Sequence, residues 1–165
     1  MWDMSQVTER DQLLFNIEGR ISRYGWSCYY IFGGAGPPWL YTIGLVESFG
    51  HPELIIFGLD QSSSHGLATR MVERLTSEVQ VTTGRHAGEG LDGLPVAYLE
   101  VDRAYWREPS DYFLGWLDYY RALERTLDQR ALQLVWSDEQ GHLPWDERFS
   151  ARLRHLQPLL DVPPQ

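Results

Sequence analysis

Residues 41–59 constrain the fold of this chain more than any other stretch, because two apolar runs lie there on either side of a short polar turn, YTIGLVESFGHPELIIFGL. Apolar side chains alternate with small or polar ones from Tyr41 to Leu45, which is the period of a half-buried β-strand. The run Leu54–Phe57 has no polar position, so the strand Leu54–Leu59 is predicted to be covered on both faces and central in its sheet. The turn between them, Glu47–Glu53, carries titratable side chains and predicts a site at the rim of that sheet.

The rest of the sequence predicts alternating helices and strands within one domain of 165 residues, a length that supports its own core. We divide residues 1–165 into a helix at 8–24, a core at about 26–145 and a C-terminal extension at 146–165, whose residues 161–165 are expected to fray. Further elements are predicted as strands at 26–32, 39–46, 96–101 and 131–136, a helix at 64–79 capped by Ser62–Ser64, and a segment at 112–127 that fits a strand or a helix at its start.

Composition excludes several classes of function. All 14 basic residues are Arg, so neither a Schiff-base lysine nor the lysine of a nucleotide-binding P-loop is present. The formal charge of −9 disfavours nucleic acid and anionic membranes as partners. The single cysteine, Cys28, excludes an internal disulfide and is interpreted as a buried, inert thiol. No apolar stretch approaches the ~20 residues that span a bilayer, so we expect a cytoplasmic protein.

Short motifs carry two resemblances. The first rests on Gly25-Trp26, YTIGL at 41–45, GHPEL at 50–54 and QLVWSD at 133–138, with Gly141, Pro144 and Trp145. These motifs resemble those of an uncharacterised bacterial family called domain of unknown function 4262. The strand, turn and strand of residues 42–59 also resemble the flavin reductase-like split barrels, in which a Thr opens one strand and a Pro opens the next.

The second resemblance implies an α+β fold built on a mixed, mainly antiparallel, split-barrel-like β-barrel, or a strongly curved sheet, of about five to seven strands with helices packed outside. It implies FMN or a related flavin as the cofactor, with the protein supplying stacking and phosphate contacts. It also implies a homodimer, because such barrels build their sites between subunits.

The rim supplies the candidate catalytic residues. His51 and Glu53 flank Pro52, and an imidazole oriented by a carboxylate would suit a general base. No metal site is predicted, since His51, His65 and His86 lack the close ligand spacing of a strong metal motif.

The candidate cofactor contacts come from the same rim and from a glycine-rich loop. The split-barrel resemblance assigns flavin contacts to Thr42 and Ser48. Arg85 and His86 lie on the loop and would hold an anion. Trp136 offers a ring for stacking a planar heterocycle, although filling a core is the simpler interpretation of this ring.

Three hypotheses of function remain, and the sequence does not decide whether the protein is an enzyme. The first is a flavin- or nucleotide-binding protein with oxidoreductase-type ancestry. The second is a non-catalytic interaction module on a degenerate split barrel, whose acidic, aromatic-rich surface receives another protein. The third is a metal-assisted hydrolase that uses His51 and Glu53.

Overall fold

The structure, a computed structural model, describes residues 9–77, 81–86, 93–106, 112–122 and 130–165. Its strands are β1 (Ser27–Ile31), β2 (Trp39–Ile43), β3 (Glu53–Phe57), β4 (Val96–Glu100) and β5 (Ala131–Trp136). Its helices are α1 (Glu9–Tyr24), α2 (Leu45–Phe49), α3 (Gln61–Thr76) and α4 (Leu114–Ala122), with 3₁₀ turns at Arg103–Tyr105 and Ala151–Leu156. Parts of three predicted helices, at residue 8, residues 78–79 and residues 123–127, lie outside the described residues.

The described strands form one mixed five-stranded sheet in the order β1-β2-β3-β5-β4. The central strand β3 is antiparallel to β2 and parallel to β5, so the central position predicted for Leu54–Leu59 is confirmed. The predicted barrel is not formed by the described residues, in which β1 and β4 are the two open edges of the sheet. The physical reason is that helices bury both faces of this sheet, whereas a closed barrel turns one face inward on its own core.

Each face of the sheet has its own helices and its own apolar cluster. One face packs against α1 and α4 through Ile17, Ile21, Trp116, Tyr119 and Tyr120. The other face packs against α3 through Leu67, Ala68, Met71 and Val72. Of the helices that the structure describes, none combines the length and the apolar character needed to cross a bilayer.

The predicted strand at 39–46 is too long, because β2 ends at Ile43 and α2 begins at Leu45. Gly44 lies between them with a φ of 104°, a left-handed conformation that favours glycine. A Cβ at this position would also lie 2.9 Å from Cγ1 of Ile21. The predicted cap of α3 is wrong as well, since the Asp60 side chain accepts the Ser63 backbone N–H and caps the helix one residue before it begins.

The C-terminal segment packs along β5. The side chain of Gln157 accepts a hydrogen bond from the Trp136 N–H and donates one to the Trp136 carbonyl. The buried amide of Gln133 donates to the Pro158 carbonyl and accepts from the Leu160 N–H. These bonds hold residues 157–160 against the sheet, directly before residue 161, where fraying was predicted to begin.

Candidate functional site

The carboxylate of Glu53 lies at the point where β2 turns into α2, and it is 1% exposed. Its Oε2 accepts the Thr42 hydroxyl at 2.6 Å. Its Oε1 accepts the backbone N–H of Gly44 at 2.9 Å and that of Val46 at 3.3 Å. The Thr42 Oγ1 in turn accepts the Leu54 N–H at 2.8 Å. This Glu53 cluster therefore ties β2, α2 and β3 together and satisfies amides that α2 cannot bond internally.

Two opposing effects set the proton affinity of this carboxyl. Burial dominates and raises the pKa of Glu53 to about 7, while the hydrogen bonds from Thr42 and the backbone amides favour the charged form and lower it. On the α4 side, burial raises the pKa of the Tyr120 hydroxyl, and the nearby Glu53 charge raises it further. Both groups are therefore held in apolar surroundings at the junction of α4 with the sheet.

The surroundings of Glu53 fit a structural role. A general base must lie within hydrogen-bond reach of the proton that it removes from a substrate. Both oxygens of Glu53 are occupied by protein donors, and the group is buried. A carboxylate in this setting orders the backbone around it.

The structure gives His51 and Ser48 other surroundings. The Nδ1 of His51 is 2.6 Å from the carbonyl oxygen of Pro52, and burial lowers the pKa of the ring. Ser48 lies on α2 and is exposed. Glu53 was predicted to orient His51, but the two side chains have different hydrogen-bond partners, the Pro52 carbonyl for His51 and the Thr42 hydroxyl for Glu53. Across the described residues, no group of three or more His, Cys, Asp or Glu side chains has the arrangement of a metal site.

The remaining candidate cofactor contacts lie elsewhere. Arg85 makes a two-pronged ion pair with Asp161 at 2.7 and 2.8 Å, and its guanidinium lies 5.9 Å from the ring centroid of Trp145. Its loop runs along the outer edge of β4, because the Gly84 N–H donates to the Tyr98 carbonyl. The neighbouring His86 is exposed on the same loop.

Trp136 lies at the end of β5 opposite to the end that pairs with Glu53. Its indole N–H donates to the Phe57 carbonyl at 2.7 Å. Of the predicted site residues, the structure thus brings Thr42 and Glu53 into contact, leaves Ser48 and His51 on and after the neighbouring helix α2, and places Arg85, His86 and Trp136 elsewhere in the fold.

A different constellation lies between α1, the edge strand β1 and α3. Two adjoining clefts of about 370 and 770 Å³ share Arg20, Cys28 and His65. The first is completed by Tyr24, Trp26, Ser27 and Thr69, and the second by Tyr30, Leu40, Gln61, Ser62 and Gly66. We call these two clefts together the α1–α3 groove.

The groove combines a cation, stacked rings and a thiol. Trp26 and His65 stack with ring centroids 5.9 Å apart and an angle of 24° between their planes. Among the described residues, Arg20 has neither an ion pair nor a hydrogen bond. Burial raises the pKa of the Cys28 thiol, an effect that the nearby Arg20 charge partly offsets, so the thiol is protonated at neutral pH. Within the part of the chain that the structure describes, no carboxylate lines either cleft.

The groove was not predicted from the sequence, although Trp26 of the motif Gly25-Trp26 lines it. Arg20 and His65 lie on helices, where single polar residues are typical of a solvated face. Cys28 lies in an aromatic strand, and its partial burial agrees with the inert interpretation. Only the packing of α1 and α3 about the edge of the sheet brings these three residues to one place.

These features define an α+β domain with an open sheet, a buried carboxylate cluster and an accessible groove beside its first strand. The chain belongs to a family described as a domain of unknown function (DUF4262), whose model matches residues 20–150. That range contains both the Glu53 cluster and the groove, and it confirms the resemblance drawn from the motifs. No curated protein and no solved structure matches the chain.

Proposed function

We propose that this protein is a non-catalytic binding module whose ligand site is the α1–α3 groove. The observation that carries the proposal is the position of Arg20, which has no protein partner among the described residues and lies in a cleft walled by Trp26 and His65. Ligand sites combine apolar and aromatic walls with a small number of polar groups that fix orientation, and the groove has this composition.

The alternatives have less support. A hydrolase would need His51 and Glu53 to face a substrate, but Glu53 is buried among protein donors. A flavin held at Thr42 would need a free hydroxyl there, whereas this hydroxyl donates to Glu53 and accepts from Leu54. If the protein binds FMN or a related flavin, the groove is the better place for the ring system.

The single cysteine supplies the test. Cys28 lies in both clefts, so a molecule in the groove should slow its alkylation by iodoacetamide, measured by mass spectrometry of one peptide. We would screen flavin nucleotides, other nucleotides, small aromatic compounds and short peptides, and follow melting temperature and chemical conversion in parallel. The proposal expects a compound that protects Cys28, raises the melting temperature and is recovered unchanged.

A covalent block provides the control. A bulky maleimide on Cys28 should abolish binding of that compound while the far-ultraviolet circular dichroism stays unchanged. Conversion of the compound to a product would contradict a non-catalytic role. Binding that persists after Cys28 is blocked would show that the ligand site lies outside the groove.

We also propose a homodimer that forms through exposed aromatic side chains on α1 and directly after β1. Phe15 and Phe32 are 71% and 73% exposed. Sedimentation velocity of the wild type and of Phe32→Asp tests this proposal, and a monomeric wild type at high concentration would remove it.

A further inference from the structure

The charge around the groove differs from that of the chain as a whole. The chain carries a formal charge of −9, yet the described residues that line the two clefts include Arg20 and His65 and no carboxylate. The next cation on α1, Arg23, lines neither cleft, and its guanidinium lies 5.3 Å from the ring centroid of Tyr24. An anion in the groove would therefore meet attraction there while most of the surface repels it.

The walls of the groove favour a flat ring. Trp26 and His65 stack on each other, and both rings line the first cleft. The hydroxyl of Tyr30 donates to the Leu59 carbonyl at 3.0 Å, so this residue offers its ring to the second cleft. The partly buried Cys28 adds a further apolar side chain that lines both clefts.

One further charge limits the ligand to a single anionic group. Asp60 caps α3 directly before Gln61 and Ser62, which line the second cleft. Its carboxylate accepts from the N–H and the hydroxyl of Ser63, and these hydrogen bonds lower its pKa, so it stays ionised. A polyphosphate that extended to Gln61 and Ser62 would approach this charge.

We infer that the α1–α3 groove binds an aromatic ring carrying one carboxylate or phosphate, with the ring against Trp26 and His65 and the anionic group at Arg20. This inference rests on the proposed binding function and names the class of its ligand. Arg20 supplies charge-assisted hydrogen bonds to the anion.

Four probes separate the contributions of ring and charge. Phenyl phosphate and benzoate carry both, benzyl alcohol carries the ring alone, and inorganic phosphate carries the charge alone. Binding is measured by protection of Cys28 from alkylation, as a ratio of rates with and without the probe, and by the nitrogen-proton NMR signal of the Trp26 indole. The two aromatic anions should bind roughly tenfold or more tightly than benzyl alcohol or inorganic phosphate.

Two substitutions on α1 test whether Arg20 is the cation that binds the anionic group. Arg20→Gln should weaken phenyl phosphate roughly tenfold or more and leave benzyl alcohol unchanged. Arg23→Gln removes the same charge one turn away and should change neither by more than about twofold. Both side chains are exposed, so the fold should be retained in both variants.

The contrary results separate a failure of the anionic ligand class from a failure of the whole inference. Equal binding of benzyl alcohol and phenyl phosphate, or equal losses in the two variants, would overturn the anionic class while the binding function stands. Failure of all four probes to protect Cys28 or to shift the Trp26 signal would overturn the inference. The wider screen at Cys28 then decides the proposed function separately.

Discussion

Replacing Glu53 by Gln should make the protein more stable at alkaline pH and remove one component of its pH dependence. The carboxyl has an ordinary pKa of 4.5, and burial raises the pKa of Glu53 to about 7 in the folded protein. Between these two values the folded state holds a proton that the unfolded chain has released. Raising the pH through this window therefore destabilises the fold, and the loss is complete above pH 7.

The magnitude follows from the two pKa values. A difference between 4.5 and about 7 corresponds to about 3 kcal/mol of unfolding free energy lost across the window. The glutamine side chain in the Glu53→Gln variant resembles the protonated acid. Its carbonyl oxygen can accept from Gly44 and Val46, and its amide can donate to the Thr42 oxygen. The variant should thus match the wild type below pH 4.5 and exceed it by up to about 3 kcal/mol above pH 7.

The assay is urea unfolding of wild type and Glu53→Gln at steps of pH from about 4 to 9, with the difference in unfolding free energy plotted against pH. The shifted pKa of His51 contributes to both proteins and cancels in this difference. Glu147→Gln is the matched control, since it removes the same charge from an exposed position and should give a flat difference. A wild type that gains stability relative to Glu53→Gln as the pH rises would show that the hydrogen bonds outweigh burial, and would refute the reasoning.

Three further substitutions test the packing, each by urea unfolding. Thr42→Val removes the hydroxyl that bridges the buried carboxylate and a strand amide, and should cost about 1–3 kcal/mol, while the exposed Thr83→Val should stay within about 0.5 kcal/mol. Gly44→Ala forces a side chain into a left-handed conformation against α1 and should cost about 1–3 kcal/mol, whereas a Cβ at Gly34 meets nothing within 4 Å and Gly34→Ala should be nearly neutral. Asp60→Ala removes the cap of α3 and should cost about 1 kcal/mol, and Asp60→Asn should restore most of it.

The elements with strong patterns were predictable from the sequence. The apolar run at 54–57, the helical stripe of α1 and the strand at 131–136 all appear where the patterns predict them. The end of β2 was missed because a glycine in an alternating run also fits a strand, and its positive φ depends on the buried carboxylate that holds its amide. The open sheet was missed because local patterns do not report which strands form the edges.

The surroundings of His51, Glu53 and Arg85 could not be predicted from their positions along the chain. Spacing along the chain favoured His51 and Glu53 as a pair, but the sheet turns the second side chain inward to Thr42. Arg85 was predicted to hold an anion of the cofactor, yet its guanidinium pairs with Asp161 and its loop lies beside β4. These outcomes depend on contacts between residues distant in sequence, which periodicity does not contain.

The two polar constellations differ in their access to solvent. A strongly shifted pKa is typical of catalytic residues, but structural networks shift pKa values as well. Glu53 has the shift and no access to solvent, whereas Arg20 has access and no protein partner among the described residues. The two are linked by the sheet, because Thr42, which bonds Glu53, pairs directly with Cys28 in the groove. The buried cluster therefore fixes the strand on which the groove is built, and a ligand is expected where the accessible charge of Arg20 lies.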